Sequence, residues 1–154
     1  SLVQASALLS LMMTLQIVLN LIFPIIYERI PKRRFWLLLF LTMGLVGFGL
    51  FWTGYSALMW ASSIFMAIPL AGLFPITLLF PLDATETAED TNEWTAMMQT
   101  GGYLIAGFLP LLIALIYDWT GNHHYTLMIF MALFVTMIFL TFLVGDREQK
   151  VKRA

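Results

Sequence analysis

Long apolar stretches broken by short charged or turn-forming ones dominate the chain. Asp, Glu, Lys and Arg are absent from residues 1–27, 35–82, 94–117 and 119–145. A helix needs about 20 predominantly apolar residues to cross the hydrocarbon core of a bilayer. By that measure residues 1–27 hold one span, 94–117 a second and 125–144 a third. The run 35–82 is too long for a single helix, and WTGYS at 52–56 interrupts it near its middle. The pattern therefore predicts five helical spans, at about residues 3–27, 35–53, 57–80, 94–117 and 125–144, in one all-α transmembrane bundle.

Basic residues give an independent check. All eight lie in two places: Arg29, Lys32, Arg33 and Arg34, and the tail residues Arg147, Lys150, Lys152 and Arg153. The positive-inside rule puts both clusters in the cytoplasm, so an even number of spans must separate them, as dividing 35–82 in two provides. The N-terminus is then outside and the C-terminus inside. Trp and Tyr favour the headgroup zone, and Tyr27, Trp36, Trp52, Tyr55, Trp94, Tyr117, Trp119 and Tyr125 fall at the predicted borders, with Trp60 one turn in and Tyr103 alone deep.

Composition agrees: 60% of residues are hydrophobic, 11% are charged, and mean hydropathy is +0.87, as in an integral membrane protein. A net charge of -1 and short juxtamembrane basic clusters leave no nucleic-acid footprint, and the absence of cysteine excludes disulfides and thiolate metal sites. No signal peptide is read in the first segment, which has no basic n-region and a long apolar stretch. The start without Met and the odd number of spans lead us to expect part of a longer protein that does not transport by itself.

Polar side chains in a span usually face another helix or a wet cavity, because lipid tails cannot solvate them. The second and fifth spans carry only scattered Thr among apolar residues and are expected to face lipid. In the first span Ser6, Ser10, Thr14, Gln16 and Asn20 share one half of the helix. The fourth has a narrower stripe, in which Thr95, Gln99, Gly102, Tyr103, Ala106 and Pro110 cover about a third of the helical circle. Gly102 and Ala106 permit close approach of another backbone, and Pro110 removes a hydrogen bond. Pro69, Gly72 and Pro75, with Pro81, are expected to interrupt the third span. Broken helices at bilayer depth often mark a transporter's substrate site, although Pro and Gly are also simply commoner in membrane helices.

The segment AMMQTGGYLIAGFLPLLIALIYDWTG, 96–121, resembles the eleventh span of the cyanate permease and nitroimidazole transporter group of the major facilitator superfamily. The matching residues are Met97, Gln99, Gly102, Tyr103, Leu104, Ala106, Pro110, Asp118, Thr120 and Gly121, while Met98, Gly101 and Leu109 depart from the pattern. LLSLMMTLQI at 8–17 resembles the eighth span. YERIPKRR at 27–34 loosely echoes the superfamily's acid-Arg-x-x-basic loop. The resemblance implies spans eight to twelve, an incomplete C-terminal six-helix half of a major facilitator fold, in a bacterial inner membrane. It also implies that the eighth, tenth and eleventh spans line the central cavity and the ninth and twelfth face lipid.

These readings select Gln99 and Tyr103, then Gln16 and Asn20, as candidates to hydrogen-bond a small solute. Each has a plainer role in tying one helix to another. Gly102, Ala106, Pro110, Pro69, Gly72 and Pro75 are candidate packing or hinge positions. His123 and His124 have only Asp118 nearby and lack a metal-ligand set, so they read as a solvated loop. Asp90 with Glu93 fits a capping pair. Arg29 to Arg34 are read as topology anchors that can also take part in salt-bridge gating. No acid or base for a proton relay lies inside any span. No cofactor is expected, and an enzyme is disfavoured for want of a nucleophile with a base or a buried acid-base pair. The expected partners are lipid, a small-molecule substrate and the N-terminal spans of the same transporter, with no nucleic acid. The alternative is a small non-transporting subunit that packs against partner helices.

Overall fold

The computed structural model describes residues 2–30 and 32–144. It contains α1 (Leu2–Arg29), α2 (Arg33–Trp52), α3 (Ser56–Ala84), α4 (Ala88–Thr120) and α5 (His124–Val144). All five are long and apolar enough to cross a membrane. The borders follow local chemistry. α2 stops at Trp52, where the Thr53 and Gly54 amides bond back to the Leu50 and Phe51 carbonyls at 3.3 Å. Gly54 then takes a φ of 71°, a left-handed conformation that costs a residue without Cβ little. α4 runs three residues past its expected end, to Thr120, and stops at Gly121, whose φ is 63° and whose amide bonds to the Tyr117 carbonyl at 2.7 Å.

The start of α4 differs from the expected Asp90–Glu93 pair. Thr87 is the N-cap: its hydroxyl accepts from the Asp90 amide at 3.1 Å and donates to Asp90 Oδ2 at 2.7 Å. The hydroxyl three residues before Asp90 is what reaches the open amide of the first turn. α3 is also not interrupted, since it is helical from Ser56 to Ala84 through Pro69, Pro75 and Pro81. A proline removes one backbone donor, and a membrane helix tolerates that loss by small local adjustment.

The chain divides into two compact units, Ser1–Ile76 with Phe130–Ala154, and Thr77–Ile129. In the first, the core is the cluster of Phe23, Trp36, Phe40 and Ile76. Phe23 of α1 lies edge-on to Trp36 and Phe40 of α2, with ring centroids 5.4 and 5.1 Å apart. Glycine provides the room for the other contacts. Gly72 of α3 seats the Phe40 ring, Gly44 of α2 seats Phe134 of α5, and Gly47 of α2 lies against Met66 of α3. The buried Ser62 hydroxyl donates to the Gly47 carbonyl at 2.8 Å. Phe48 stacks on Phe130 at 5.5 Å and 7° and meets Phe134 edge-on at 5.4 Å.

One expectation changes here. α2, expected to face lipid, is packed against other helices on one side, where Arg33, Trp36, Phe40, Leu41, Gly44 and Gly47 are buried. Trp36, at the start of α2 as expected, is also part of the core, and its indole N–H donates to the Ile30 carbonyl at 2.8 Å. In the second unit α4 is the main element, 33 residues or about 50 Å long at 1.5 Å per residue. That exceeds the roughly 30 Å hydrocarbon core. Its acidic first turn and its Tyr117–Thr120 end are therefore suited to the headgroup zones.

Candidate functional site

The second unit carries the α4 stripe. Thr95 and Gln99 are half-buried, whereas Gly102, Tyr103, Ala106 and Pro110 are exposed, with Tyr103 at 66%. None of the described residues of α4 is buried. A side chain added at Gly101, Gly102 or Gly107 would meet nothing within 4 Å, so these glycines leave a smooth helix surface and seat no neighbour. Gln99 and Tyr103 are four residues apart, one turn along the same face. Among the described residues neither side chain has a hydrogen-bond partner. The pair thus offers an amide, which both donates and accepts, next to a phenol that does the same.

In the first unit, Gln16 and Asn20 are half-buried one turn apart on α1, and they too lack side-chain hydrogen-bond partners among the described residues. Pro69 and Gly72 are buried and Pro75 is half-buried on α3. Gly72 is a packing position, because its missing side chain makes room for Phe40. Ser62, Gly44 and Gly47 hold helices together and escaped the sequence reading. The signal was faint: three-residue spacing of glycines in α2 and a serine pair, Ser62-Ser63, in α3.

The polar turn after α4 is exposed, as a solvated loop would be. The His123 ring stacks on Tyr117 with centroids 4.2 Å apart and an 18° interplanar angle. The His124 amide donates to Asn122 Oδ1 at 2.9 Å. Among the described residues no group of three or more His, Cys, Asp or Glu is placed to hold a metal ion.

Five apolar membrane-length helices, with polar side chains gathered on single faces of α1 and α4, define a helical integral membrane protein. The family model of the Major Facilitator Superfamily matches residues 1–154, and the chain belongs to that superfamily of membrane transporters. No curated protein and no solved structure matches it.

Proposed function

We propose that the chain contributes the solute-lining part of a secondary transporter that moves a small organic or inorganic solute by alternating access. Cyanate- and nitroimidazole-like compounds are the proposed substrate class, and a bacterial inner membrane with the N-terminus outside is the proposed setting. One observation carries the reading: Gln99 and Tyr103 stand together on the small-residue stripe of α4, and neither is spent on a hydrogen bond within the described structure. An amide facing acyl chains without a partner costs several kcal/mol, so this face is suited to water or a solute. Gln16 and Asn20 present the same chemistry on α1. The spans hold no Asp, Glu, Lys or Arg at bilayer depth, so this part supplies hydrogen bonds and shape, and any proton coupling uses groups elsewhere.

Uptake of a panel of labelled small anions and nitroaromatics by the intact protein in proteoliposomes tests the reading. Losing one hydrogen bond to a solute costs about 0.5–1.5 kcal/mol, so Gln99→Ala and Tyr103→Phe should each raise the apparent KM by roughly three- to tenfold. Unchanged KM in both variants, at unchanged expression and stability, would remove α4 from the solute path.

A further inference from the structure

The end of the first unit where α1 turns into α2 concentrates charge. Residues 27–34 carry four cations, Arg29, Lys32, Arg33 and Arg34, against one acid, Glu28. Topology alone requires only that such charges lie somewhere near the span ends. Here three of them occupy the N-cap and first turn of α2. That is the positive end of the helix dipole, where negative groups are favoured and cations are not. Lys32 is the N-cap and makes no side-chain cap hydrogen bond, and the first turn contains no acid.

The described residues on either side of Pro31 are hydrogen-bonded. The Ile30 amide bonds to the Ile26 and Tyr27 carbonyls, the Lys32 amide bonds to the Ile30 carbonyl at 2.8 Å, and the Trp36 indole donates to that same carbonyl. Arg34 lies over the Phe142 ring of α5, 5.1 Å from its centroid, and Arg33 is 8% exposed. Arg29 and Lys32 are exposed, and among the described residues no carboxylate pairs with either. Ile26, Ile30 and Phe35 beside them are exposed apolar side chains.

We propose that the α1–α2 turn binds the headgroup phosphate of an anionic phospholipid. Arg29 and Lys32 hold the phosphate at the N-terminus of α2, and the acyl chains lie along Ile26, Ile30 and Phe35. Backbone amides at a helix start and nearby cations are both complementary to a phosphate. Basic clusters bordering a membrane helix attract acidic headgroups. The bilayer supplies this ligand at high local concentration beside the turn. The site is independent of the solute path proposed above.

The test compares the purified intact protein in nanodiscs of phosphatidylcholine with and without phosphatidylglycerol, reading bound lipid by native mass spectrometry and thermal unfolding. Phosphatidylglycerol should be retained selectively and should raise the unfolding temperature. Arg29→Gln with Lys32→Gln should weaken retention on the order of tenfold or more, as expected from the contribution of each basic residue near an anionic surface. Lys32→Ser supplies the absent cap, so it should unfold at a higher temperature than wild type in phosphatidylcholine alone and gain less from phosphatidylglycerol. Arg29→Lys with Lys32→Arg keeps the charge and should retain the lipid. Equal retention of the two lipids by wild type would overturn the proposal. So would stabilisation by inorganic phosphate equal to that by phosphatidylglycerol, which would make the ligand a soluble anion.

Discussion

At Gly44 a single methyl group is decisive, because a Cβ there would run into the Phe134 ring of α5. Overpacking a close contact costs about 1–3 kcal/mol. Gly44→Ala should therefore lower the unfolding temperature in detergent, and Gly44→Ala with Phe134→Leu should recover part of the loss. Gly107→Ala on α4 meets nothing within 4 Å and should leave stability unchanged or slightly raised. The Ser62 hydroxyl bridges α3 to the Gly47 carbonyl of α2. Interhelical hydrogen bonds in membranes average about 0.6 kcal/mol, so Ser62→Ala should destabilise modestly and Ser62→Leu much more, through bulk at a fully buried position. Hydropathy could not reveal these roles, since glycine and serine register only as weak interruptions in an apolar run. What they touch depends on a second helix.

Among the helices, the start of α4 is the clearest case of local sequence setting an end. Thr87 and Asp90 exchange hydrogen bonds across the first turn, with Glu89 and Asp90 at the positive end of the dipole. Loss of an N-cap costs about 0.5–2 kcal/mol. Thr87→Ala should raise amide hydrogen exchange over residues 88–91 without changing exchange in α5. The sequence located this cap within three residues but assigned it to Asp90 and Glu93, because several acids and threonines in PLDATETAEDTNE satisfy the same spacing rule. The WTGYS turn was legible because Gly54 sits where a left-handed residue is needed. In α3 the prolines read as a break, yet the helix continues, because hydrogen-bond loss at one position does not outweigh the propagation of a long apolar helix in lipid. The aromatic seam between α2 and α5 was not visible either. Phe48, Phe130 and Phe134 are ordinary apolar residues until two helices bring their rings within 5.5 Å. A double-mutant cycle on Phe48→Leu and Phe130→Leu should give a coupling of about 0.5–1.5 kcal/mol.

For the whole molecule the question is which surfaces meet water. The chain contains no cysteine, so single cysteines introduced by substitution can be labelled without background. Spin labels at Gln99→Cys and Tyr103→Cys should be more accessible to a water-soluble relaxant than labels at Phe139→Cys or Phe142→Cys, which should favour oxygen. The reverse order would place the α4 stripe in lipid. Arg34 over Phe142 places the start of α2 and the end of α5 at one end of the first unit. By itself the sequence determined the number of spans, their approximate ends and the presence of one polar stripe on α4. Those properties are set locally, by the transfer of each roughly 20-residue segment into hydrocarbon and by turn residues with special backbone demands. Tertiary structure alone decided that the buried positions gather on α2 and α3, that Trp36 belongs to a core, and that Gly72 serves Phe40. Lipid is as apolar as leucine and gives helices no hydrophobic reason to associate, so their partners are chosen by shape, through glycine recesses and the rings that fill them.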